Sequence, residues 1–124
     1  MEDFVTFDLA NKLKEKGFPI KTKTEGKFGL TKVKNVEILP TISQVLKWLR
    51  EEKKMHIEPS ILIDCDFDED GKTTNEYIYW SFSIMSTETG YMIYFENERI
   101  NDRRFDTYEE AVINGIEYVL NNLI

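Results

Sequence analysis

Cysteine, histidine and proline are scarce in this 124-residue chain: one, one and three residues respectively. The lone Cys65 closes no intrachain disulfide and builds no cysteine-rich metal framework, which fits a reducing compartment. His56, the only histidine, has no second histidine or cysteine close by in sequence, and it reads as a surface or cap residue. Cys65 and His56 are then the sole nucleophile and base on offer, and neither sits in a recognisable motif. A phosphate-cradling glycine loop is missing as well. These absences point to a non-catalytic protein. Also missing is any apolar run near the roughly 20 residues that a membrane span requires. The opening MEDFVTFDLANKLKEKG carries acids and a helical pattern in place of a charged-then-apolar leader, so the expectation is a cytoplasmic protein with no membrane partner.

Basic charge is in deficit too. Sixteen Lys and Arg stand against 23 acids, a formal net charge of −7, which disfavours general nucleic-acid binding because phosphate neutralisation supplies most of such affinity. The balance is uneven along the chain. Met1 to Lys54 holds twelve bases against eight acids, +4, whereas Met55 to Ile124 holds four against fifteen, −11.

The remainder is an ordinary globular composition, 41% hydrophobic and 31% charged, of a length suited to one domain. Its centre is Glu76 to Asn97. Ile78, Trp80, Phe82 and Ile84 alternate with Tyr77, Tyr79, Ser81 and Ser83, the period of a strand with one buried face. Ser86 to Gly90 supplies a hairpin loop, and Tyr91, Ile93 and Phe95 then alternate with Met92, Tyr94 and Glu96. His56 to Asp64 places Ile57, Ile61 and Ile63 on one parity, a strand whose first half Pro59 confines to an edge or bulge. Together they predict a three-stranded antiparallel meander.

Helices are signalled by their caps. Thr6 precedes Phe7, Leu9, Ala10 and Leu13, and Gly17 and Phe18 provide a Schellman ending over about Phe7 to Lys16. Thr41 and Gln44 form a capping box ahead of Ile42, Val45, Leu46 and Leu49, and the helix runs to about Lys54. Thr107 and Glu110 form another before Tyr108, Ala111, Val112, Gly115, Ile116, Val119, Leu120 and Leu123. Gly115 inside that apolar stripe predicts close approach to Trp80 or Phe82. From Ile20 to Leu39 the pattern is weak and predicts extended, ribbon-like chain with a turn near Glu25 and Gly26. The expected fold is α+β: one antiparallel sheet with three helices in a single layer on one face.

Three surfaces are candidates for function. If helices cover only one face of the sheet, Tyr77, Tyr79, Met92 and Tyr94 form an exposed surface for a protein partner or a second copy in a homodimer. Asp66, Asp68, Asp70 and Gly71 match the opening of a calcium loop, although Tyr77 stands where the closing bidentate Glu belongs; the plainer reading is an acidic hairpin turn. Four acids from Asp64 to Asp70 in a regular strand would lie about 7 Å apart on one face, so the strand is expected to end at about Asp64 and the acids to sit in a turn. Lys47, Trp48, Arg50, Lys53 and Lys54 could contact a single-stranded nucleic acid, against the plainer reading of Trp48 as a residue at the helix–sheet seam.

The three capped segments, ANKLKEKGF, PTISQVLKWLREEKK followed by MHIE, and FDTYEEAVINGIEYVLNNLI, resemble a group of small proteins from phage and prophage regions of gut bacteria. The resemblance covers the chain from about Phe4 onward and rests on cap and core positions. It brings no activity or functional residue. What it implies is an accessory protein of a mobile element, acting in bacterial cytoplasm. The acidic turn and the Lys-rich Ile20 to Lys34 segment are where length and composition vary in that group, so a function placed there would belong to this chain alone.

Overall fold

The computed structural model describes residues 3–25, 34–95 and 104–124. Helix α1 spans Phe7–Glu15, strands β1 and β2 span Thr22–Glu25 and Lys34–Glu37, and α2 spans Ile42–Glu52. Three strands follow, β3 (Met55–Phe67), β4 (Thr73–Ser86) and β5 (Met92–Phe95), and then α3 (Tyr108–Tyr118). The fold is α+β, with an antiparallel β3-β4-β5 sheet and a separate two-stranded β1-β2 ribbon. The turn expected near Glu25 and Gly26, and most of the charged connection from Glu98 to Asp106, lie outside the described residues.

Each helix starts at the cap its sequence provides. Thr6 Oγ1 accepts from Leu9 N–H at 3.2 Å, and α1 ends with Phe18 N–H on the Leu13 carbonyl and Gly17 N–H on that of Lys14. Those two bonds, with Gly17 at φ 96°, make the Schellman ending. In α2 both halves of the box form, Gln44 N–H to Thr41 Oγ1 and Thr41 N–H to Gln44 Oε1. At α3 only one half forms as expected: Thr107 Oγ1 accepts from Glu110 N–H, while the Glu110 carboxylate reaches past Thr107 to Asp106 N–H. The last turn, Val119–Leu123, widens into a π-helical turn closed by Ile124 N–H on the Val119 carbonyl at 3.1 Å.

One core cluster joins all three helices to the sheet. Leu9 and Leu13 from α1, Ile42, Val45 and Leu49 from α2, and Val112 and Ile116 from α3 are buried with Ile57, Phe82 and Ile84. Each such side chain contributes about 1.5–3 kcal/mol relative to exposure. Helix α3 crosses β3 and β4 at Gly115, where an added Cβ would lie 2.7 Å from Ile57 Cγ2 and 3.3 Å from Phe82 Cδ2. The expected approach to Phe82 is therefore present, with Ile57 the tighter neighbour and Trp80 displaced onto Tyr108.

Two strand assignments need correction. Strand β3 runs on past Asp64, its expected end, through Asp66 to Phe67 instead of turning there. The repulsion that should end it is relieved, because Asp64 is paired with Arg104 at 2.7 Å and Asp66 accepts the Tyr77 hydroxyl at 2.7 Å. In β5 the expected faces are reversed. A register shift between Ile84 and Met85 puts Tyr94 opposite Ile84 on the core side, where it stacks on Tyr118 at 3.9 Å, and leaves Tyr91 and Ile93 exposed.

Candidate functional site

Strands β3 and β4 outrun the helices. Their register is unbroken from Met55↔Ser86 to Asp66↔Asn75, so Ile57↔Ile84, Pro59↔Phe82, Ile61↔Trp80 and Ile63↔Ile78 share one face. The first two pairs lie against α3. Beyond them the same face runs into solvent: Ile61, Ile63 and Ile78 are 56%, 67% and 67% exposed. Trp80 marks the border, half-buried and met edge-on by Tyr108 at 5.3 Å. The apolar stripe of the core thus continues as an open patch on a two-stranded arm. Periodicity places Ile61, Ile63 and Ile78 on one face and predicts a roof over it; among the described residues no helix covers this end.

The opposite face of the arm is polar and knitted together. Arg104 donates to Asp64 and lies over the Tyr79 ring at 4.9 Å, leaving Tyr79 8% exposed. The Tyr77 hydroxyl donates to Asp66 Oδ2. That hydrogen bond and the adjacent carboxylate charges push the Tyr77 hydroxyl above its ordinary pKa of 10.0. Of the four residues expected to make an interaction surface, only Tyr77 and Met92 are exposed. Tyr79 is buried, Tyr94 belongs to the core side, and the four do not form one surface.

The acidic turn is Asp68 to Lys72. Asp68 Oδ1 accepts from both Asp70 N–H and Lys72 N–H at 2.9 Å, Asp68 N–H donates to the Lys72 carbonyl, and Gly71 takes φ 80°. These bonds close a hairpin with the Asp68 carboxylate as its internal cap. Asp66 is committed to Tyr77 on the strand, so Asp66, Asp68 and Asp70 do not converge as calcium ligands. Among the described residues no three His, Cys, Asp or Glu side chains are grouped to hold a metal ion.

Nor do the basic residues of α2 form a stacking platform. Trp48 packs against the core, with its indole set edge-to-face on Phe18 at 5.3 Å and Lys53 Nζ 5.4 Å from the ring centre. It forms one wall of a groove of about 370 Å³ with Phe18, Pro19, Leu39 and Pro40. Lys21 and Lys47 line that groove together with Glu51 and Glu52, so its rim mixes basic and acidic groups. Arg50 is exposed, and Lys54 occupies the turn into β3 at φ 58°. His56 hydrogen-bonds Glu58 at 2.7 Å. Nine residues along the same strand separate it from Cys65, about 30 Å, so the two do not make a nucleophile–base pair. No helix among the described residues is long and apolar enough to cross a membrane.

No family model, curated protein or solved structure matches this chain.

Proposed function

We propose that this protein is a non-catalytic interaction module whose docking element is the β3–β4 arm, and, on the resemblance of its capped helices, an accessory protein of a phage or other mobile element acting in the cytoplasm. The observation that supports it is the continuation of the core face beyond its helical cover. Three isoleucines more than half exposed and directly adjacent on one sheet face form the kind of apolar patch that marks a protein-binding surface. The Arg104–Asp64 and Tyr77–Asp66 bonds tie together residues on the arm's other face.

The test is affinity capture from bacterial lysate with the wild-type chain beside an Ile63→Lys/Ile78→Lys variant of unchanged melting temperature. A stoichiometric partner held by the wild type and released by the variant is the expected result. Identical captured proteins from both would refute the assignment of the arm.

A further inference from the structure

The arm has an open edge as well as an open face, and its hydrogen-bonding groups can be placed. Trp80 N–H donates to the Phe105 carbonyl at 2.7 Å and the Trp80 carbonyl accepts from Phe105 N–H at 3.1 Å. Both Trp80 groups therefore point away from β3. In an antiparallel pair the residue opposite must do the same, so Ile61 N–H and C=O point out of the sheet, and by alternation so do those of Pro59, Ile63 and Cys65. Among the described residues β3 has no strand on that side.

The edge is closed at both ends and open between. Pro59 has no N–H to offer, and Cys65 N–H is taken by Asp64 Oδ1 at 2.9 Å. Ile61 and Ile63 alone are left with outward donors between these stops. Their side chains are the exposed isoleucines already described.

We infer that the occupant of this edge is a second copy of the chain, its β3 antiparallel to the first about a two-fold axis at Leu62; this rests on the arm being the docking element. A two-fold interface must be self-complementary, and β3 is. Ile61 faces Ile63 of the other copy and Ile63 faces Ile61, four main-chain hydrogen bonds in all. The patches merge into one face of six isoleucines, two each from positions 61, 63 and 78. On the other face Leu62 meets Leu62, and Ser60 meets Asp64. Beyond the paired residues, the acidic turn at the tip of each arm is brought to the end where the other copy's β3 begins, beside Lys54 and His56. The single like-charge juxtaposition, Asp66 with Glu58, involves carboxylates that already hold donors, Tyr77 and His56.

Sedimentation velocity of the full chain over a concentration series tests this. The expected result is a reversible monomer–dimer equilibrium. Ile61→Pro removes an outward donor without costing a bond to β4, and by symmetry removes it twice, so the dimer dissociation constant should rise about tenfold or more. Asp70→Lys should weaken the dimer, and Lys54→Asp added to it should restore affinity. Should Ile61→Pro disturb the fold by circular dichroism, Ile63→Lys at an exposed position replaces it, with loss of the dimer expected. A monomer at every attainable concentration, or a dimer indifferent to both substitutions, overturns the inference. If such a monomer still captures a partner through Ile63 and Ile78, self-pairing fails and the docking role stands.

Discussion

At Gly115 the terminal helix meets the sheet with no room for a β-carbon, and replacing the glycine measures that approach directly. A β-carbon there would sit 2.7 Å from Ile57 Cγ2 and 3.3 and 3.4 Å from two ring carbons of Phe82. Neither neighbour is a loose chain end. Ile57 is β-branched and Phe82 is 1% exposed at the centre of the cluster, flanked by Tyr94, Phe105 and Tyr118. Gly115→Ala gains about 1 kcal/mol of helix propensity but forces an extra carbon into a filled space, at about 1–3 kcal/mol. The net expectation is a loss of about 1 kcal/mol, read as a lower urea midpoint at unchanged slope. A double-mutant cycle isolates the cause. Ile57→Val keeps a branch methyl in the same place and should add to Gly115→Ala without coupling. Ile57→Ala removes that methyl, and the pair should be less destabilised than the sum of its parts by about 1 kcal/mol. A Gly115→Ala protein as stable as the wild type, or additivity in the Ile57→Ala cycle, would refute the contact.

Two other measurements follow from local geometry. Lys54 holds φ 58° where α2 turns into β3, so Lys54→Gly should raise stability by about 0.5–1 kcal/mol in thermal unfolding, since relieved left-handed strain exceeds the entropy cost of glycine. Tyr77, with its hydroxyl pKa raised chiefly by the bond to Asp66, should titrate above the other exposed tyrosines by tyrosinate absorbance, and Asp66→Asn should bring it down. Because the folded value is the higher one, the stability it contributes is complete below pH 10 and is lost as pH rises through the raised pKa.

Local chemistry was legible in most places where it acts through near neighbours, the second half of the Thr107 box being the exception. The Thr6 cap, the Gly17–Phe18 ending and the Thr41–Gln44 box need only residues within one turn, and all formed as their spacing predicts. The distance-dependent features were not. Asp64 and Asp66 were expected to terminate a strand because like charges repel, and the relief comes from Arg104, 40 positions away, and from Tyr77 on the partner strand. No window along β3 contains either group. The reversal of β5 has a similar origin: alternation in Tyr91 to Glu96 marks two faces equally well, and the register shift at Ile84 and Met85 decides which of them turns inward.

The exposed arm shows where hydrophobic periodicity stops being informative. Alternation reports that Ile57, Ile61, Ile63 and Ile78 share a side of the sheet, but burial also needs a second layer long enough to reach them. Strand β4 has 14 residues, about 46 Å at 3.3 Å each. Helix α3 has 11 residues, about 17 Å at 1.5 Å each, and it crosses the strands near Gly115. Even with α2 against the first part of β3, the far end of the hairpin has no helix over it among the described residues. An isolated two-stranded hairpin is marginal in water, so this one draws its order from continuity with the roofed sheet and from the bonds on its polar face. The free edge of β3, stopped by Pro59 and by Asp64 on either side of two residues whose outward groups meet no strand among the described residues, is where the proposed pairing adds a strand, and the apolar face then extends across both copies.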